Sequence, residues 1–258
     1  MNLATPSGRY LFGTLPWYSV LIVGTIALSL FLLAREEKRL SLPKDMVIDS
    51  AFYLIPLGII GARLYYVVFE WRQFIQNPLD VFKIWEGGLA IYGALIGGFI
   101  GLLLFSKKRK LPFLMLLDFY SPAVVLSQAI GRWGNYFNQE AYGYAVTNPN
   151  HCFFPLAVLI TTHSPPTWHY ATFFYESLLD LIIFFILLAR RRAPHRDGNI
   201  FLLYIMLYAL GRAVIEGIRT DSLVIFGTVR VSQILSILLA ISIFTYFMVQ
   251  KRRGKNHA

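Results

Sequence analysis

The sequence predicts an all-α integral membrane protein with about seven transmembrane helices, and three observations carry that reading. Of its 258 residues 56% are hydrophobic and 15% charged, against about 25% charged in a soluble globular domain. The apolar residues fall in blocks long enough to cross a hydrocarbon core, which takes roughly 20 helical residues. The basic residues collect in short clusters between those blocks. Mean hydropathy is +0.55. No long polar stretch separates two sets of blocks, so one transmembrane domain over residues 1–258 is expected.

In chain order the expected spans are 17–34, 47–69, 88–105, 111–131, 171–189, 199–217 and 231–249. An odd number puts the termini on opposite sides. Arg35, Lys38, Arg39 and Lys44 follow the first span, and Lys107, Lys108, Arg109 and Lys110 the third. Arg190, Arg191, Arg192 and Arg196 follow the fifth, and Lys251, Arg252, Arg253 and Lys255 the seventh. Sixteen of the 24 Lys and Arg residues thus share one side, against six on the other. The positive-inside rule makes the rich side cytoplasmic, with the N-terminus outside and the C-terminus inside. The same pattern excludes a nucleic-acid reading of the +10 net charge: these clusters are topology signals that also meet anionic lipid heads. MNLATPSGRY lacks the basic start of a cleaved signal peptide, so the first span is expected to be an uncleaved insertion signal.

The third span carries Gly93, Gly97 and Gly101 at intervals of four, on one helix face, which predicts close packing of two helix backbones. The connection from about 132 to 170 is rich in turn formers (TNPNH, THSPPTWH), and a loop of that length is more often functional or mobile than idle. Its Cys152 is the chain's one cysteine, which excludes an internal disulfide and a metal site built from several cysteines. No metal and no cofactor is expected.

Three arginines stand where charge is costly. Arg63 and Arg212 fall in the outer halves of the second and sixth spans, and Arg132 ends the fourth at the same face. An arginine in the bilayer core costs at least about 2.5–3.5 kcal/mol on insertion scales. Snorkelling explains one such residue; three at one level point to a shared anionic ligand. Tyr208, Arg212, Glu216 and Arg219 form one stripe on the sixth span, in which Glu216 can pair with either arginine. Near the outer end of the fifth, Glu176 and Asp180 stand four apart and can balance the arginines.

The most unusual stretch runs Gly131-Arg132-Trp133-Gly134-Asn135-Tyr136-Phe137-Asn138-Gln139-Glu140-Ala141-Tyr142-Gly143. Glycines admit close backbone approach, arginine and asparagine supply donors for phosphate oxygens, and aromatic side chains favour the headgroup zone. It reads as a phospholipid headgroup site facing the outer leaflet.

That stretch resembles the signature of the prolipoprotein diacylglyceryl transferases. Further matches follow in family order: Trp17-Tyr18, Gly61-Ala62-Arg63-Leu64-Tyr65-Tyr66, Trp85-Glu86-Gly87-Gly88-Leu89-Ala90-Ile91-Tyr92-Gly93, Asp118-Phe119, Phe174-Tyr175-Glu176-Ser177, and Tyr208 through Gly211-Arg212 to Glu216, Arg219 and Asp221. The resemblance implies a bacterial cytoplasmic-membrane enzyme that moves the diacylglyceryl group of phosphatidylglycerol to the lipobox cysteine of a prolipoprotein, releasing glycerol phosphate. By the same resemblance Arg132 and Arg212 are the two essential arginines that hold the lipid phosphate. Asn135, Glu140 and Gly143 complete the signature site, and Tyr18 and Tyr208 are the essential tyrosines. Arg63 and Glu216 line the cavity, while Asn138, Glu176, Arg219 and Asp118 support it.

Two departures stand out. Tyr92 occupies the position where many members carry a histidine proposed as general base. A phenol is a poor base at neutral pH, so either Tyr92 only positions substrate or the histidine is not the base in general. His169-Tyr170-Ala171-Thr172 replaces the usual approach to the fifth helix, and Thr220 replaces a proline before Asp221. The nucleophile is the substrate's thiol, so Cys152 is expected to behave as a small apolar residue. The alternative function, an anionic-phospholipid transporter or flippase, would favour internal repeats and a midplane site; no repeat is visible, and the polar residues crowd the outer half. A seven-helix receptor does not account for the buried arginines. An intramembrane protease would need a Ser–His or paired-Asp site within spans, but the histidines lie in loops or the tail.

Overall fold

A computed structural model describes residues 3–6, 8–220, 224–225 and 229–255. Seven helices dominate: α1 Trp17–Arg39, α2 Met46–Phe69, α3 Ile91–Arg109, α4 Phe113–Asn138, α5 Thr172–Arg190, α6 Asn199–Ile215 and α7 Val231–Lys255. Each is long and apolar enough to cross a bilayer, since about 20 residues at 1.5 Å rise cover its core. Phe52, Val214 and many other large apolar side chains lie open on the helix surfaces, a liability in water but the normal surface in lipid. The protein is a multi-pass membrane protein. Three short antiparallel hairpins accompany the helices: β1 Tyr10–Leu11 with β2 Leu15–Pro16, β3 Ala157–Ile160 with β4 Thr167–Tyr170, and β5 Val224–Ile225 with β6 Val229–Arg230.

The chain divides into two compact units, Leu30–Phe119 and Met1–Ser29 with Tyr120–Ala258. The first is built on the antiparallel pair α2 and α3. Gly93, Gly97 and Gly101 face Gly61, Leu57 and Tyr53, four-residue steps running in opposite directions along the two helices. A Cβ added at Gly97 would stand 2.0 Å from the Leu57 carbonyl oxygen, and one at Gly93 2.2 Å from that of Gly61. The small-residue stripe is therefore where the backbones touch. At the start of α2 the Glu37 carboxylate accepts from the Asp45 and Val47 amides at 3.0 and 2.7 Å, satisfying donors that a helix terminus leaves without an intrahelical partner.

The α2–α3 connection is a run of 3-10 turns organised by one side chain. Arg63 Nε donates to Val81 O at 2.8 Å, Nη2 to Asp80 O at 2.5 Å, and Nη1 to Gly87 O and Gly88 O at 2.8 and 3.0 Å. Gly87 and Gly88 hold φ of +96° and +67°, a region glycine enters freely, and a Cβ at Gly88 would stand 2.5 Å from Arg63 Nη1.

In the second unit α4, α5 and α6 share a core of Val125, Ile183, Leu187, Ile200 and Tyr204. Helix α4 runs to Asn138, past the expected end at 131. No proline interrupts the chain from Arg132 to Asn138, and the left-handed turn comes only at Gln139, φ +53°. The unusual stretch thus begins as the last two turns of α4. Beyond it the β3–β4 hairpin packs Val158 and Ile160 against Tyr136, Ala171 and Phe173. This hairpin was not expected. Its signal was present in two β-branched or aromatic runs, AVLI and TWHY, flanking THSPP.

Candidate active site

Helices α4, α5 and α6 meet around Glu176, a residue with a 5% exposed side chain one turn into α5. Its Oε1 accepts from Arg212 Nη1 at 2.6 Å and from Arg219 Nη1 at 2.8 Å. Its Oε2 lies 2.8 Å from Arg132 Nη1, an ion pair. Arg212 Nη2 also reaches Glu216 Oε2 at 2.7 Å, one helical turn on. Glu216 is fixed in turn: Ser232 donates to its Oε1 and Arg230 Nη1 to its carbonyl oxygen. Arg132 Nη2 donates to the Tyr208 hydroxyl at 3.1 Å.

Three guanidinium groups here pair with two carboxylates. The arginines are not equivalent. Arg132 and Arg212 keep 20% and 23% of their side chains exposed, Arg219 only 8%. The first two can reach a ligand, while Arg219 is held inside. Asp180, a turn deeper on α5, is buried; neither oxygen has a hydrogen-bond partner among the described residues, and Arg132 is within electrostatic reach.

The rest of the signature is assembled close by in sequence. Asn135 and Asn138 each donate an amide hydrogen to Glu140 Oε1, at 3.0 and 3.2 Å, and the Glu140 amide closes the helix end on Asn135 O at 3.0 Å. Gly134 seats the ring of Tyr18: a Cβ there would stand 2.4 Å from Tyr18 Cδ2. Gly143 is enclosed on three sides, by Tyr170, Ile218 and Thr172, each within 3.1 Å of an added Cβ. Trp133 Nε1 donates to Ser177 Oγ at 3.2 Å, and Ser177 to Ala129 O at 2.7 Å, which locks α4 on α5 beside Glu176.

Of the sequence-derived site residues, Tyr18, Arg132, Asn135, Asn138, Glu140, Gly143, Glu176, Tyr208, Arg212, Glu216 and Arg219 belong to this unit. Arg63, Tyr92 and Asp118 belong to the other. All three nitrogens of Arg63 are engaged by carbonyl oxygens there. Tyr92 opens α3 with its side chain exposed, and Asp118 is buried. Asp221 lies outside the described residues. The position that sequence spacing did not single out as the hub is Glu176, whose three partners come from separate stretches of chain.

Fold and site together define a polytopic membrane protein with a cluster of arginines and carboxylates at the meeting of α4, α5 and α6. The chain belongs to the prolipoprotein diacylglyceryl transferase family, whose sequence model matches residues 10–249. It is 42% identical over 240 residues to the phosphatidylglycerol–prolipoprotein diacylglyceryl transferase of Enterococcus faecalis, covering 92% of this chain and 86% of that protein. The enzymes of the same name from Limosilactobacillus reuteri and Streptococcus equi subsp. equi are 43% and 44% identical. These alignments cover 94% of this chain in both cases, and 89% and 93% of the relatives.

Proposed function

We propose that this protein transfers the diacylglyceryl group of phosphatidylglycerol to the lipobox cysteine of a prolipoprotein in the bacterial cytoplasmic membrane, the first step of lipoprotein maturation. The carbon–oxygen bond between the diacylglyceryl carbon and the phosphate breaks, and a carbon–sulfur thioether forms. Glycerol phosphate departs with the bonding pair, and the thiol proton passes to a base or to solvent. The whole chain acts as one transmembrane enzyme domain, N-terminus outside and C-terminus cytoplasmic, as the bias of basic residues supports.

The observation that carries this reading is the geometry at Glu176. One buried carboxylate holds Arg132 and Arg212 side by side while both stay partly open. A phosphodiester bears one negative charge, and guanidinium forks fit its oxygens. As the ester bond breaks, charge on the leaving phosphate grows from one to two, and prepositioned cations at low dielectric stabilise that change. The same field favours the thiolate of the incoming cysteine, the reactive form. Tyr208 orients Arg132, Tyr18 flanks the signature helix, and Asn135, Asn138 and Glu140 form a polar rim for the headgroup glycerol. Glu216 pairs with Arg212, and Arg219 pairs with Glu176, the carboxylate shared by both working arginines. Arg63 is assigned to clamping the α2–α3 connection.

The test uses purified protein, phosphatidylglycerol and a lipobox peptide. A mass gain of one diacylglyceryl unit that requires the peptide thiol supports the transferase. Headgroup binding without product favours the transporter reading. Arg132→Ala and Arg212→Ala should each abolish transfer while the protein remains in the membrane; full activity of either purified variant refutes the assignment.

A further inference from the structure

Four side chains beside the signature turn form one continuous hydrogen-bonded line. Tyr142 OH lies 2.8 Å from His163 Nε2, and His163 Nδ1 2.8 Å from Thr167 Oγ1. Thr167 Oγ1 lies 3.0 Å from His169 Nε2, and His169 Nδ1 2.8 Å from Gly143 O. The last contact fixes the direction of all the others. A carbonyl oxygen only accepts, so His169 carries its hydrogen on Nδ1. With both rings neutral, the bare Nε2 of His169 takes the single hydroxyl hydrogen of Thr167. Thr167 Oγ1 then accepts from His163 Nδ1–H, and the bare Nε2 of His163 accepts from the Tyr142 hydroxyl. Every hydrogen in the line has one place to be.

The line ends on a turn whose carbonyls are each gripped from a different place. Ala141 O accepts from Thr172 Oγ1 at 2.6 Å, Tyr142 O from Thr220 Oγ1 at 3.0 Å, and Gly143 O from His169. The turn passes this order on. Gly143 forms an antiparallel bridge with Arg219, and the Tyr144 amide donates to Ile218 O at 2.9 Å. Arg219 is the buried arginine on Glu176.

We infer that His163, Thr167 and His169 are positioning residues for transfer: as an ordered line of neutral tautomers they set the Gly143 turn, which registers Arg219 on Glu176 and so holds Arg132 and Arg212 in place. The catalytic consequence rests on the transferase reading above; the tautomer order does not. Thr167 is the sensitive link, because its one hydroxyl joins the two rings, accepting from His163 Nδ1 and donating to His169 Nε2. Thr167→Val keeps the shape and removes both functions, whereas Thr167→Ser keeps the hydroxyl.

The experiment pairs two readouts on the full chain in phosphatidylglycerol nanodiscs. Nitrogen-15 spectra of histidine-labelled protein, assigned with His163→Gln and His169→Gln, should show hydrogen on Nδ1 and a bare Nε2 in both rings. Steady-state transfer to a lipobox peptide should show kcat of Thr167→Val down about tenfold or more per folded molecule, the scale set by leaving buried hydrogen-bonding groups unmatched. The peptide KM should be little changed, and Thr167→Ser should restore most of the turnover. Hydrogen on His169 Nε2, or wild-type kcat in Thr167→Val, overturns the inference. If Thr167→Val does not fold, the wild-type spectra decide. If wild-type protein yields no product, the transferase reading falls and the spectra still judge the line.

Discussion

Arg132 Nη1 and Glu176 Oε2 stand 2.8 Å apart, so an ion pair joins the Trp133–Ser177 hydrogen bond in tying the last turns of the signature helix to the fifth helix. Arg212 and Arg219 reach the other oxygen of the same carboxylate. The three arginines would repel one another without it, and their relative placement depends on one residue that need not touch substrate.

Glu176→Gln should therefore do more than remove a contact. It leaves three buried or half-buried cations without the carboxylate they share, and breaking buried ion pairs costs about 3–5 kcal/mol. We expect a strongly lowered thermal midpoint in detergent and loss of transfer. Glu176→Asp should retain the charge but draw it back, with intermediate stability and reduced turnover. A melting curve and a transfer rate on the same preparation check both.

The glycine stripe gives a paired test of close helix contact. Gly97→Ala places a methyl 2.0 Å from the Leu57 carbonyl oxygen, whereas Gly98→Ala meets nothing within 4 Å. Overpacking costs about 1–3 kcal/mol. Gly97→Ala should destabilise the protein by that amount and Gly98→Ala should not, measured by thermal unfolding of the two variants side by side.

Arg63 supplies a different kind of support. Lysine preserves the charge at Arg63→Lys but cannot address four carbonyl oxygens with one ammonium. Limited proteolysis within residues 71–88 should accelerate in the variant, with transfer reduced and phosphatidylglycerol still bound by the remaining arginines. Unchanged proteolysis would mean the connection is held without the guanidinium.

Tyr92→Phe should keep measurable transfer. The side chain is 64% exposed, at the start of α3, and a phenol makes a poor base at neutral pH. Complete loss of product in the purified variant would assign proton chemistry to that hydroxyl.

Much of this was written in the chain. Apolar blocks gave seven helices, and intervals of four exposed the face of α3 that meets α2. Tyr208 and Arg212 share a face of α6 as helical spacing predicts, but the helix ends at Ile215, Glu216 opens a 3-10 turn and Arg219 follows in extended backbone, so its place on Glu176 did not come from helical spacing. Three things were not legible. The carbonyl partners of Arg63 are one, because sequence does not distinguish backbone groups. Glu176 read as one of two balancing acids because its partners come from three separate stretches of chain and only tertiary packing brings them together. His169 read as a departure from the family pattern, since its contacts depend on strand pairing that sets it opposite Val158.

The central claim is that Arg132 and Arg212, and not Arg219 or Arg63, grip the lipid phosphate. The direct measurement is the dipolar coupling between phosphatidylglycerol phosphorus and arginine side-chain nitrogen-15 in solid-state spectra of the full-length protein. Loss of signal in Arg132→Lys and Arg212→Lys assigns it to those residues. Short phosphorus–nitrogen distances to both, and none to Arg219 or Arg63, are the expected result. A coupling that survives both substitutions, or that comes from Arg63, would contradict the account.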